Sequence, residues 1–187
     1  MCGRYFIADE AIRGFDIDAL NRTSVAGGAE ITPGMEAPVL LSEAERAQPM
    51  RWGFSRERGG LVINARVETL HEKPLFRGIA DSQRCAMPAS RYYEWRRTDK
   101  QKFAVNLRDV GLFYLAGLYR TGEAGREFVV LTQPPVKAIQ PVHNRMPLIL
   151  PDRPSLLRWL AGETPLFSDN ASVLVRAEGP EQLQMMF

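Results

Sequence analysis

Apolar and polar positions alternate in short runs along nearly the whole chain, each run bounded by turn residues, which is the pattern of strands with one buried face. Arg4 to Ala8, Ala37 to Leu41, Met50 to Phe54, Leu61 to Ala65, Tyr92 to Arg96, Lys102 to Leu107, Leu112 to Tyr119, Glu127 to Thr132 and Met146 to Leu150 all read as strands. Helical spacing is rarer. It predicts helices over Ala8 to Leu20, over Pro74 to Gln83, and in "DRPSLLRWLAG", where Asp152 is a start signal, Pro154 sits near it and Gly162 is a stop. Strands that follow one another without regular helical crossovers predict an α+β fold, with antiparallel sheets curled into a barrel-like core and short helices flanking it. Beyond Ser168 the pattern offers one late strand and then a polar end.

Composition narrows this picture without changing it. The chain has 187 residues, 45% apolar and 25% charged, so residues 1–187 form one domain able to bury a core. No apolar run approaches the roughly 18 residues of a membrane span, and the start lacks the basic-then-apolar order of a signal peptide. The expected location is the cytoplasm, as a bacterial cytosolic or nucleoid-associated monomer without a membrane partner. In that reducing compartment Cys2 and Cys85 are expected as free thiols, and neither suggests a metal site. The net charge is only +2, but arginine greatly outnumbers lysine. Its planar fork suits phosphate and bases, although a GC-rich genome gives the same bias.

The chain begins "MCGRY". Once Met1 is removed, Cys2 carries a free amine two carbons from its thiol. An amine of pKa about 8 condenses with an aldehyde, and a thiol of pKa about 8.5 lies within reach to close a ring.

Four other stretches hold polar groups where a plain β core would rather have none. In "INARVET", period-two geometry puts Asn64 and Arg66 on one face, where the amide can hold an amine or a sugar oxygen and the guanidinium a phosphate. The plainer reading is a polar solvent-facing strip. In "CAMPASRYYEW", Glu94 sits among aromatic residues that would raise its pKa toward neutrality and so fit it for proton transfer, unless alternation turns it outward. Cys85 opens the same stretch and reads as a buried structural thiol. In "PVHNRMPLIL", His143 and Arg145 lie in a turn before an apolar strand, available as acid or base and as a phosphate ligand, or as ordinary turn residues. His71 receives no role. In "ITPGMEAPVL" and "MRWGF", Pro33, Met35, Trp52 and Phe54 are suited to stacking on unpaired bases, with core packing as the alternative, above all for Phe54.

Taken in order, "MCGRY", "MRWGF", "NARVET", the cysteine–proline–"YYEW" stretch, "LAGLYR", "FVVLT" and "HNRMP" resemble the SRAP family, the SOS-response-associated peptidase-like abasic-site shields. The resemblance runs from Cys2 to about Leu150. It implies a β-rich fold and a protein that binds single-stranded DNA at an abasic site and links itself to the open sugar aldehyde without a cofactor or metal. Carried over residue by residue, Cys2 is the nucleophile whose amine forms a Schiff base and whose thiol closes a thiazolidine. Asn64 positions the Cys2 amine and the sugar. Glu94 shuttles protons during sugar opening and autocatalytic removal of Met1, and His143 acts as acid or base on the ring oxygen. Arg66 holds the adjacent phosphate, with Arg4 and Arg145 helping on the DNA backbone and Trp52 and Pro33 offering stacking surfaces.

The chain departs from that pattern at three places. Ser90-Arg91 replaces the usual Asp-Gly, Asn144 replaces an aspartate after the histidine, and the late valine–asparagine pair is missing. Two other functional classes fit parts of the sequence. One is a thiol peptidase in which Cys2 attacks peptides in trans. The other is a non-covalent single-strand binder that uses the arginines and Trp52.

Overall fold

The computed structural model describes residues 2–13, 24–25, 28–41, 47–122 and 125–179. It is built mainly of strands, with helices only at Asp9–Arg13, Pro74–Arg77 and Arg153–Leu160 and a single 3₁₀ turn at Val67–Thr69 among the described residues. One sheet has six strands in the order Val173–Ala177, Lys102–Leu107, Arg91–Trp95, Tyr5–Ala8, Gly28–Ile31, Ser24–Val25. All its pairings are antiparallel. The second runs Ile149–Leu150, Phe113–Gly122, Gly125–Gln133, Gln48–Trp52, Glu36–Val39. Arg84–Ala89 is added beside Phe113–Gly122, and Asn64–Arg66 and Met146–Pro147 beside Gly125–Gln133. This sheet is mixed, because Gln48–Trp52 and Asn64–Arg66 run parallel to Gly125–Gln133. Phe54–Ser55 and Leu61–Val62 form a small separate pair.

The β-rich α+β expectation therefore holds, whereas the barrel does not. Each of the two larger sheets runs from one edge strand to another, and neither closes on itself. The main core lies where inward residues of both sheets meet: Tyr5, Ile7, Tyr92 and Val105 from the first with Trp52, Cys85, Phe113, Phe128 and Val130 from the second. A second apolar cluster packs the Arg153–Leu160 helix through Leu156 and Trp159 onto the other face of the mixed sheet.

Several predicted strands are divided where the backbone must turn. The Met50 to Phe54 run breaks at Gly53, whose φ of +113° is unfavourable for any side chain and whose N–H instead donates to Phe128 O at 2.7 Å. Leu61 to Ala65 divides at Ile63, and Met146 to Leu150 at Leu148. The helix expected over Ala8 to Leu20 covers Asp9–Arg13, and its positions 14–20 lie outside the described residues. The Pro74 to Gln83 helix is one turn long. The last helix matches its signals: Asp152 caps it by accepting from Ser155 N–H at 2.8 Å, and the Ser155 hydroxyl lies 3.2 Å from Asp152 N, completing a capping box. The late strand is Val173–Ala177, on the edge of the antiparallel sheet.

Candidate functional site

The Gly125–Gln133 strand is the hub that gathers the polar motifs. Asn64–Arg66 lies parallel to it, Asn64 opposite Val130 and Arg66 opposite Thr132. Alternation buries Ala65 and leaves Asn64 partly covered and Arg66 exposed on the other face, as the period of two requires. Thr132 fixes this strand by donating its hydroxyl to Ala65 O at 3.2 Å. The Thr132 carbonyl accepts from Arg145 Nη2 at 2.6 Å, so the histidine turn is tied to the same point.

Cys2 is fully buried in the main core, with Sγ 3.9 Å from Arg4 O. Asn64 reaches it across the sheets, its Nδ2 donating to Cys2 O at 2.9 Å. The same Asn64 leaves a buried Oδ1 without a hydrogen-bond partner among the described residues. An amide that grips the Cys2 backbone with one end and presents an unsatisfied acceptor at the other is placed to position the residue and receive one more donor. Burial, and next the negative charge of Glu94, push the Cys2 thiol well above its ordinary range.

Glu94 points inward. Its 2% exposure rules out the outward orientation that alternation alone left open. On the Arg91–Trp95 strand, Tyr92 and Glu94 face the core, while Tyr93 packs with Phe6, Ala104 and Trp95 on the opposite side. Burial lifts the Glu94 carboxyl to about 7, against the pull of the positive amino terminus. Near neutral pH it both gives and takes a proton.

His143 is partly buried. Its Nδ1 lies 3.0 Å from the Arg145 N–H and 3.2 Å from the Arg145 carbonyl. A neutral ring that accepts the N–H at Nδ1 carries its own proton on Nε2. Burial first, then the positive amino terminus and Arg97, hold the imidazole below its usual pKa, while the hydrogen bond to the Arg145 backbone works the other way. The field of the amino terminus thus acts on both Glu94 and His143.

Arg145 is committed within the protein. Nη1 and Nη2 form a two-pronged pair with Glu68, at 2.5 and 2.8 Å, and the side chain is only 13% exposed. Hydrogen bonds from Arg145, the leading effect, hold the Glu68 carboxyl below its normal value. Arg66, by contrast, is exposed, as is Arg97, whose charge acts on His143. Glu68 is a partner that sequence reasoning missed, although it stands in the same "NARVET" stretch.

Arg4 lies elsewhere. It pairs with Glu30 at 2.9 Å and covers the Trp95 ring at 5.2 Å on the outer face of the antiparallel sheet. Pro33 is half-buried in the turn before Glu36–Val39, which Gly34 N–H and Trp52 O fasten at 2.8 Å. Trp52 requires a correction: it is not a surface for stacking on bases. It has no exposed area, lies nearly parallel to Phe128 at 6.1 Å and tilted against Tyr5 at 5.4 Å, and donates its indole N–H to Ile63 O at 2.9 Å. That bond anchors the residue before Asn64, so Trp52 supports the site from behind. Phe54 is likewise core.

The departures are accommodated locally. Ser90 Oγ accepts from Ala8 N–H at 3.1 Å and Ser90 N–H donates to Phe6 O at 2.8 Å, while Arg91 lies over the Phe6 ring at 4.3 Å. Asn144 is exposed between His143 and Arg145. Cys85 is a buried free thiol beside Gly117, where a Cβ would come within 2.6 Å of Val129 O and 3.1 Å of Cys85 Sγ. No cluster of three or more metal-ligating side chains occurs among the described residues. No helix there is long and apolar enough to cross a membrane.

Comparison with known proteins gives a consistent pattern. The family model described as SOS response associated peptidase (SRAP) matches residues 1–186. The abasic site processing protein YoqW of Bacillus subtilis is 33% identical over 172 residues, covering 81% of this chain and 77% of that protein. YobE of the same organism, also named an abasic site processing protein, is 32% identical over 180 residues, covering 86% and 82%. Among solved structures, a protein from Bordetella bronchiseptica superposes with a TM-score of 0.76 over 96% of this chain and 100% of that one, at 22% identity, a likeness of fold.

Proposed function

This chain belongs to the SOS response associated peptidase (SRAP) family, and on that premise we propose that it processes abasic sites by binding single-stranded DNA and closing a covalent thiazolidine on the lesion through Cys2. The observation that carries this reading is the junction at the amino terminus. Asn64 grips the Cys2 carbonyl, and a buried carboxylate with a pKa of about 7 acts electrostatically on the Cys2 thiol.

The chemistry follows from those groups. Met1 blocks the amine and is removed first: Glu94 deprotonates a water that attacks the Met1 carbonyl, then returns the proton to the Cys2 nitrogen as the peptide bond breaks and methionine leaves. The abasic sugar then opens as its C1 hydroxyl proton passes to the Glu94 carboxylate, the C1–O ring bond breaks, and the imidazolium form of His143 gives its Nε2 proton to the ring oxygen. The freed Cys2 amine attacks the C1 aldehyde, and loss of water leaves an imine. Glu94 takes the thiol proton, sulfur bonds to the carbon of the protonated imine, and the C=N π pair becomes the lone pair of a neutral ring nitrogen. Two bonds from one residue to one carbon make the adduct more durable than an imine, which would itself promote strand cleavage. Arg66 holds the neighbouring phosphate, because its guanidinium is exposed while that of Arg145 is engaged by Glu68. Arg145 acts by fixing the turn that carries His143.

The test is incubation with uracil-excised single-stranded DNA followed by denaturing electrophoresis. The expected result is a covalent band that disappears in Cys2→Ala while DNA binding by that variant persists. Equal banding in Cys2→Ala would defeat the proposal.

A further inference from the structure

Two buried hydroxyls lie in the main core beside Cys2, and the mechanism above leaves them without work. Tyr5 and Tyr92 are register partners across the antiparallel sheet, so their side chains emerge on the same face. Neither has any exposed area, and both hydroxyl oxygens are buried without a hydrogen-bond partner among the described residues. Phenylalanine would pack these positions without stranding a polar atom, so the hydroxyls serve something other than packing. Their surroundings say what. Tyr92 shares its strand face with Glu94, two residues on, and both tyrosines belong to the core cluster that contains Cys2. The Tyr5 ring is steadied by Trp52 at 5.4 Å, the same side chain that anchors Ile63 ahead of Asn64.

We propose that the Tyr92 and Tyr5 hydroxyls are hydrogen-bond donors that steady the Cys2 sulfur while it closes onto the imine carbon, Tyr92 also steadying Glu94 as the thiol proton arrives. This rests on the proposed function and adds two positioning residues to it. In the closing step the S–H bond breaks, its proton passes to the Glu94 carboxylate, sulfur forms the S–C bond with the carbon of the protonated imine, and the C=N π pair becomes the lone pair of a neutral nitrogen. Negative charge develops on sulfur in an interior that burial makes hostile to it, and a phenol that stays protonated is a suitable donor there. Burial, followed by the charges of Glu94 and Cys2, keeps Tyr92 neutral far above physiological pH; burial, then Cys2 and Cys85, does the same for Tyr5. The titratable groups acting on the thiol are Glu94 and the amino terminus, and the thiol in turn acts on Tyr5 and Tyr92. Cys85 acts on Tyr5 from the facing sheet.

The test uses Tyr92→Phe, Tyr5→Phe and the double variant in Met1-free protein. Peptide-resolved alkylation of Cys2 by iodoacetamide, followed against pH, reads the thiol directly. Each variant should move the Cys2 profile to higher pH, Tyr92→Phe the more. On uracil-excised DNA, the imine trapped by borohydride should form at the wild-type rate, while closure to the borohydride-resistant adduct slows by about tenfold in Tyr92→Phe, the loss expected for one donor to a charged group. Thermal midpoints should stay level or rise, since an unpartnered hydroxyl has gone. Superimposable alkylation profiles and closure rates would overturn the proposal, and so would a large fall in midpoint, which would mark the hydroxyls as structural. If wild-type protein formed no adduct at all, the function proposed above would fall, and the alkylation profile would still decide the tyrosines' role.

Discussion

Glu94 and Glu127 are equally hidden, each 2% exposed, and yet the protein holds them in different states. Burial pushes Glu127 up, but the Ser55 hydroxyl and N–H and the Arg120 guanidinium all donate to it, and together they bring its pKa below the ordinary value. Burial acts on Glu94 as well, and there it prevails, leaving the carboxyl at about 7. The difference lies in depth as well as in donors, because Glu127 lines a surface pocket with Ser55 and Arg120 whereas Glu94 lies further inside. Where an arginine and a serine surround a carboxylate, the group is a fixed anion and part of the scaffold; where a tyrosine, a thiol and an amino terminus surround it, the group remains free to change charge.

Breaking the scaffold pair should have the largest effect. Glu127→Ala leaves the part-buried Arg120 guanidinium without its counter-charge and Ser55 without its acceptor, and is expected to cost about 3 kcal/mol, the upper value for hydrogen bonds to a charged group. Urea unfolding measures this, and the folded fraction should still form adduct at the wild-type rate.

Glu94→Gln sharpens the contrast from the other side. A carboxyl raised from 4.5 to about 7 binds its proton more tightly folded than unfolded. Its contribution to stability is therefore complete below the unfolded value and is lost as pH rises through about 7, amounting to about 3 kcal/mol at most. Glu94→Gln should accordingly be more stable than wild type at pH 8 and nearly equal to it at pH 4. Its rate of adduct formation should drop by about 100-fold, the usual worth of a positioned acid or base. A stability difference that does not depend on pH would show that Glu94 is held charged, like Glu127.

Smaller effects are expected around the site. Trp52→Phe deletes the donor to Ile63 O and should cost about 1–2 kcal/mol with some loss of rate, because Asn64 loses its anchor. Arg66→Ala should weaken single-strand binding uniformly across sequences and reduce the slope of log affinity against log salt by about 1. Salt titration of a fluorescent oligonucleotide distinguishes this from a structural effect.

The same contrast explains what was legible in the sequence. Strands with a mostly polar outer face, such as Lys102–Leu107 with its Lys102 and Asn106, announced themselves by alternation. Arg84–Ala89 did not, because all six residues are buried and no polar face interrupts the run. Glu94 was ambiguous for a related reason. Its strand carries aromatic residues on both faces, the outer ones covered by Arg4 and Lys102 rather than by the core, so period alone gave no inside. Trp52, beside Arg51, looked like a surface platform, and only the packing of two sheets against it reveals a core residue. The motifs for Cys2, Asn64 and His143 were readable as residue types in order, whereas the Glu68 clamp on Arg145 and the Tyr5–Tyr92 pairing depend on contacts between distant segments.

The central claim is that Cys2, freed of Met1, commits both its nitrogen and its sulfur to one sugar carbon. Intact mass measurement of the product with uracil-excised single-stranded DNA tests it most directly. The account predicts a species equal to the chain without Met1 plus the DNA less one water, unchanged by borohydride. An adduct that keeps Met1, or one of the same mass relation formed equally well by Cys2→Ala, would contradict it.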